Sequence, residues 1–475
     1  MSALEIWGGP ECTVHRIGDR TGDQLVRTGH HERLDDIDRF ADLGLRAIRY
    51  PVLWERTEVE PGVFEWCWPD ARLDRLGGLG LRPIVGLIHH GSGPAWTNLL
   101  DQGFACGLAR FAGAVARRYP WVQDWTPVNE PLTTARFSAL YGFWHPHERN
   151  EGGFWNALLN QIEATVMSMA AIRAEIPHAR LIQTEDFGHT YATVPCQSQA
   201  DFENLRRFMT WDLLVGRVDR SHPFWARLDA FGLGDRLRAL ADAPCPPQVL
   251  GLNHYLTSDR FLDHRVERYP TPTRGGNDLL AYADVEAVRV LPPSSDSWRN
   301  ALTRVWDRYG APMAITECHL GGPVEDQCQW LHECRQAALD LEARGAKVEG
   351  VTVWSLLGAY DWDSLLTADR GHYEAGAFDV SSGRPFETAL ADLVRRLTRT
   401  GHEVDIGRPK AAKAWWKTDD RVLYPLGAEV ELQSSGAVAR EPRDGSCRHD
   451  AYRTLGTIGP DPILHPHSQS EVHLA

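Results

Sequence analysis

The chain lacks a basic run, lacks any apolar stretch near the roughly 18 residues needed to cross a bilayer, and lacks a Cys-x-x-Cys pair. With a formal net charge of −14, the missing basic run argues against nucleic acid or an anionic membrane surface as the main partner. Nine cysteines, at 12, 67, 106, 196, 245, 318, 328, 334 and 447, form an odd and scattered set, which disfavours a disulfide framework and fits a reducing cytoplasm. Met1 to Trp7 carry neither a basic n-region nor an apolar h-region, so secretion is not expected. No Gly-rich strand-to-helix loop of the phosphate-binding kind is present, and no nucleotide cofactor is implied. Cys318, His319, Cys328, His332 and Cys334 crowd together, yet their spacing fits no zinc pattern; they are read as thiols and loop histidines, with no metal. Nothing in the 475 residues bears on oligomeric state.

What is abundant is a repeated alternation. Eight short apolar runs end near Trp7, Arg49, Leu87, Asn129, Thr184, Asn253, Thr316 and Trp354, each followed by a polar loop and then a segment of helical period. Eight such units predict an α/β fold, a closed (β/α)₈ barrel. Helical periodicity covers 33–43, 104–119, 155–176, 201–215, 298–309, 325–344 and, after the last strand, 385–397. The barrel is therefore expected over 1–400. From 401 to 475 the composition turns to Gly, Pro, Ser, His and mixed charge, which predicts an extension that is partly disordered. Within it, Lys413-Ala414-Trp415-Trp416 and Arg421-Val422-Leu423-Tyr424 are apolar enough to dock on the barrel.

Parallel barrels gather their functional side chains at the carboxyl ends of the strands. Two carboxylates fall there, Glu130 in Asn129-Glu130-Pro131 after strand four and Glu317 in Ile315-Thr316-Glu317 after strand seven. A pair of this kind is the minimal machinery for cleaving a glycosidic bond, one acid protonating the leaving oxygen and the other attacking the anomeric carbon. Glu185, after strand five, is a third strand-end acid and is read as a rim or supporting residue, because no motif surrounds it. Eighteen tryptophans allow indole faces for sugar rings, although most will fill core volume.

These landmarks, in this order, resemble glycoside hydrolase family 1, the retaining β-glycosidases, over roughly residues 5 to 397. The resemblance implies that Glu130 is the acid/base and Glu317 the nucleophile. It implies that Arg49, in Arg49-Tyr50-Pro51-Val52-Leu53-Trp54, touches the nucleophile and keeps it ionised, as an adjacent guanidinium does. Asn129 would contact the sugar 2-hydroxyl, and Asn253 and Tyr255, in Gly251-Leu252-Asn253-His254-Tyr255, would serve the strand-six side, the tyrosine bonding to the nucleophile. In His89-His90-Gly91-Ser92-Gly93-Pro94 either His89 or His90 matches the family's sugar-binding histidine. Trp354 would floor the pocket, and Asp361 and Trp362 would meet distal hydroxyls, with Asp361 standing where the family has a longer Glu.

Three departures concern the sugar side. Pro127 replaces a Thr, the Gln expected after strand one is absent with Glu11 or His15 nearest, and the His loop lacks its usual Trp and Asp. The resemblance thus implies a divergent member or close sister group acting on a small carbohydrate by double displacement. A transglycosidase on the same site, or a non-catalytic carbohydrate-binding barrel, are the alternatives.

Overall fold

The computed structural model describes residues 4–291, 296–400 and 413–426. Eight parallel strands close a barrel in chain order: β1 (Glu5–Gly8), β2 (Ala47–Pro51), β3 (Arg82–His89), β4 (Asp124–Asn129), β5 (Arg180–Asp186), β6 (Val249–His254), β7 (Met313–Cys318) and β8 (Val348–Val353), with β8 returning to β1. These are the eight apolar runs of the sequence, and the fold is the (β/α)₈ barrel.

Helices surround the strands because their apolar residues recur at three- and four-residue spacing. In Phe104–Arg118, residues Leu108, Phe111, Ala112 and Val115 form the buried stripe, Arg117 and Arg118 complement the carboxyl end of the helix dipole, and Pro120 prevents continuation. Three helical expectations change. The periodic stretch 201–215 is broken between Gln197–Arg206 and Met209–Leu214. The helix after the last barrel strand is Ala389–Thr400, because Phe386–Glu387 pair as a short strand with Phe378–Asp379. Cys67–Gly78, unmarked by strong periodicity, is a further helix, with Leu73 and Leu76 fully buried.

In the amino-terminal half of the barrel the interior is apolar. Trp7, Ile84, Ile182 and Ala314, from the odd strands, cluster there with Ala47 and Val249. Trp7 is fully buried and its indole N–H donates to Glu5 Oε2 at 2.7 Å. Facing it is Gly350 of β8, where a Cβ would lie 2.4 Å from the indole ring. Toward the other end the lining becomes polar, beginning with Thr126, Gln183, Thr184 and Thr316. This gradient places a dry plug beneath a hydrogen-bonded mouth.

Loops after β5 and β6 build a four-stranded sheet over one side of that mouth. Thr190–Ala192 runs parallel to Arg260–Asp263, which pairs antiparallel with Ala281–Glu286, and Arg274–Gly276 completes the edge. Most of 401–475 lies outside the described residues. The stretch 413–426 lies against the barrel: Trp416 is buried edge-on to Trp330, their ring centroids 5.6 Å apart, and Arg421 donates to the Leu291 carbonyl at 2.6 Å and to that of Val288.

Substituting Gly350→Val forces the Trp7 indole out of its place. Stability is expected to fall by about 1–3 kcal/mol, read as a lower denaturant midpoint with an unchanged slope; an unaltered midpoint would show that the plug is not packed as described.

Candidate active site

Two local irregularities aim the two carboxylates. Along β7 the pairing with β6 steps from Leu252↔Ile315 to Asn253↔Glu317, so Thr316 is an extra residue, a β-bulge. The bulge lets Thr316 Oγ1 bond to Asn253 Oδ1 at 2.6 Å while the next side chain, Glu317, also turns to the mouth. At the end of β4, Glu130 takes a left-handed backbone (φ 46°, ψ 63°), and Pro131, with its fixed φ, opens the helix Pro131–Ala135. A non-glycine residue held there costs of order 1–3 kcal/mol and persists only when its surroundings over-determine it. Glu185 supplies much of that restraint: its carboxylate accepts from the Leu132 and Thr133 amides at 2.9 and 3.1 Å and from Thr210 Oγ1 at 2.6 Å. The third strand-end acid therefore caps the helix that follows Glu130, and does not face a ligand.

Glu317 and Glu130 are both buried and both line one cavity of about 300 Å³. Their surroundings differ. Arg49 Nη1 donates to Glu317 Oε1 at 2.7 Å and to the Thr316 carbonyl at 2.8 Å, and the Tyr255 hydroxyl donates to Glu317 Oε2. Glu130 receives the Asn253 amide at 2.5 Å. Burial pushes the Glu317 carboxyl up to about 7 even with Arg49 and Tyr255 drawing it down. Arg49 and Tyr255 both contact Glu317 and both favour its charged form, but desolvation is the larger effect. Glu130 is held well above the usual carboxylate range by burial first and then by the charges of Glu317, Asp186 and Glu185. The guanidinium and hydroxyl donors at Glu317 favour the charged form there, whereas Glu130, with an amide donor and acidic neighbours, is the one favoured to hold a proton.

Asn129 is fixed by its oxygen, which accepts from Arg49 Nη2 at 2.6 Å and Thr184 Oγ1 at 2.7 Å, so that Nδ2 points between His89 Nε2 (3.4 Å) and His90 Nε2 (3.3 Å). Both histidines are thus brought to the site. His90 lines the cavity, with Nε2 3.7 Å from Glu130 Oε2, whereas His89 lies beneath, stacked at 5.3 Å on Trp354. Burial drives both imidazoles down, His90 to about 3, so both are neutral. Trp354 also receives the Arg49 guanidinium 4.8 Å from its ring and donates to Glu11 Oε2 at 3.3 Å. Trp362 lines the cavity, and its buried indole N–H has no protein partner among the described residues.

Asp361 behaves differently from the expectation. Its carboxylate is 1% exposed and accepts from Arg27 at 2.7 Å and from the amides of Arg370, Gly371 and His372 at 3.2, 3.3 and 2.8 Å. Against burial, which alone would raise it, Arg27 and these amides hold it below the ordinary range. It staples the loop, and Asp363, two residues on, lines the cavity instead. A left-handed residue at each end of the turn, Asp361 and Leu365, exchanges which side chain faces inward. No sequence signal distinguishes the two aspartates. Glu11, one of two candidates for the missing Gln, lines the cavity and is raised by burial over its Thr13 and Trp354 donors.

No family model matches the chain. It is 23% identical over 377 residues to the phospho-cellobiase of Klebsiella oxytoca, spanning 72% of this chain and 78% of that protein. It is 26% identical over 383 residues to the 6-phospho-beta-glucosidase of Dickeya chrysanthemi, spanning 72% and 79%. In structure it is similar to the family 1 β-glucosidase of Thermotoga maritima, with a TM-score of 0.67 and 16% identity, over 84% of this chain and 98% of that one. The chain thus shares the barrel of that β-glucosidase and is similar, over nearly three quarters of its length, to proteins named for β-glucosidase and phospho-β-glucosidase activity.

Proposed function

We propose that the protein is a retaining β-glycosidase that uses Glu317 as nucleophile and Glu130 as acid/base. The observation that carries this reading is the unequal treatment of two buried carboxylates facing one cavity. Glu317 carries the charge beside Arg49 and Tyr255, and Glu130 keeps the proton. In the first step a Glu317 oxygen bonds to the anomeric carbon as the bond to the leaving oxygen breaks, and Glu130 gives that oxygen its proton. In the second, Glu130 takes a proton from water, whose oxygen displaces Glu317 and restores the carboxylate. Trp354, His90 and Trp362 line the cavity and hold the sugar ring, and Asn129, beneath it, orients His90 through Nδ2 and reaches the 2-hydroxyl only if that contact gives way to the sugar.

A neutral sugar suits this site better than a phosphorylated one, although relatives named for phosphorylated substrates are among those matched. The side of the cavity built after β1 and β8 presents the carboxylates of Glu11 and Asp363, while the lining arginines, Arg136, Arg206, Arg207, Arg260 and Arg289, come from loops after β4, β5 and β6. On that side no arginine among the described residues lines the cavity, and Arg370 and His372 are engaged by Asp363, so a phosphate dianion on the sugar would be desolvated without a cation to receive it. A cytoplasmic setting is supported by eight free cysteines among the described residues.

Glu317→Gly is expected to abolish hydrolysis of an aryl β-glycoside and, with azide, to yield the α-glycosyl azide; Glu130→Ala should still cleave substrates with activated leaving groups. Parent-like turnover by both variants would refute the assignment. A pH profile of kcat/KM should be bell-shaped: activity rises as Glu317 loses its proton near pH 7 and falls at higher pH as Glu130 loses its own. Tyr255→Phe removes a donor to the charged form, so its acid limb should move to higher pH; a limb that stays in place or moves down contradicts the role. Paired aryl glucosides with and without a 6-phosphate should be cleaved with a preference of roughly tenfold or more for the neutral one, and the reverse order would overturn the reading of Glu11 and Asp363.

A further inference from the structure

We infer that Trp415, with Leu423 and Tyr424, forms the outer wall of the cavity against which an aryl leaving group stacks, so that a segment beyond the last barrel helix sets leaving-group preference. This rests on the glycosidase reading of the same site. All three residues line the cavity that holds Glu130 and Glu317.

The segment is built into place. Arg421 is buried at 3% exposure and satisfies two barrel-side carbonyls, those of Leu291 and Val288. The Leu423 and Tyr424 amides both donate to the Arg289 carbonyl, at 3.0 and 3.1 Å. Tyr424 packs on Tyr269 with centroids 4.8 Å apart, and Lys417 pairs with Glu333 at 2.6 Å. Trp416 is the anchor, buried on Trp330, with its indole N–H reaching Glu333 at 3.3 Å. Trp415 is treated otherwise. It is only half-buried, with the Arg289 guanidinium 4.2 Å from its ring, and it borders the cavity.

The chemistry of the wall follows from what its neighbours have left to offer. Beside Tyr255, the apolar part of the lining includes Leu256, Val285, Leu423 and Trp415. The charged groups beside them are paired with one another, Arg260 with Asp284 at 2.8 Å and Arg289 with Glu286 at 3.3 Å. A second sugar placed here would bring hydroxyls whose hydrogen bonds to water had no ready replacement, which costs affinity. An aromatic ring asks for no such partners and gains offset or edge contact with the indole and burial of apolar area. The wall therefore favours a flat apolar leaving group over an extended oligosaccharide.

The test uses the full chain and measures calorimetric binding of phenyl and methyl 1-thio-β-glycosides of the same sugar, across gluco and galacto pairs, beside hydrolysis of the matching O-glycosides. The parent is expected to prefer phenyl over methyl. Trp415→Ala should lose about 3- to 10-fold in phenyl affinity and leave methyl within about twofold, Trp415→Phe should keep most of the preference, and Arg421→Ala, by undocking the segment, should lose it. No binding by the parent, equal binding of the two ligands, or a proportional loss of both in Trp415→Ala overturns the wall. Selective loss in a parent that hydrolyses nothing keeps the wall and removes the glycosidase; hydrolysis with an unchanged phenyl preference in Trp415→Ala does the opposite.

Discussion

One buried cation organises the mouth of this barrel. Arg49, on β2, reaches across to the Thr316 carbonyl and Glu317 carboxylate of β7 and to the Asn129 side chain of β4. Without it, the negative charge on Glu317 would stand in a dry cavity close to Glu130 and Glu11, and desolvation, which already raises all three carboxyls, would go unopposed at Glu317 by any cation. With it, a single charge is stabilised at a chosen carboxylate, and the amide of Asn129 is turned by the same contact. Charge placement and ligand orientation are two results of one guanidinium.

The remaining parts follow from holding that arrangement still. The apolar plug around Trp7 fixes strand spacing below the mouth, and the bulge at Thr316 and the left-handed turn at Glu130 direct neighbouring side chains inward above it. Glu185 shows how such strain is sustained: a buried acid, itself raised to about 7, is committed to the free amides of a five-residue helix so that the residue before it stays in place. Stability is given up locally at the mouth and recovered in the packed half of the barrel.

Much of this was legible in the residues, for identifiable reasons. Each strand is a compact apolar run with polar loops around it, so period and length mark it and bring out the strand-end acids Glu130 and Glu317, while Arg49, Asn129, Tyr255 and Trp354 are singled out by the resemblance to glycoside hydrolase family 1. What was not legible depends on contacts distant in sequence or on backbone sign. The sheet of Thr190–Ala192, Arg260–Asp263, Arg274–Gly276 and Ala281–Glu286 uses strands of three to six residues joined across long separations. The exchange of Asp361 for Asp363 goes with left-handed backbone at Asp361 and Leu365, neither of them a Gly or Asn that would have signalled it. The balance at Glu317 required knowing how deeply it is buried, which composition and spacing do not carry.

The central claim is that Glu317 attacks an anomeric carbon. An activated 2-deoxy-2-fluoro β-glycoside of a sugar the enzyme accepts traps the covalent intermediate, and peptide mass spectrometry then locates it. The account predicts one label per chain, on the Ile315-Thr316-Glu317 peptide at Glu317, with loss of activity in proportion to labelling. A label on another residue, or inactivation with Glu317 unmodified, would contradict it.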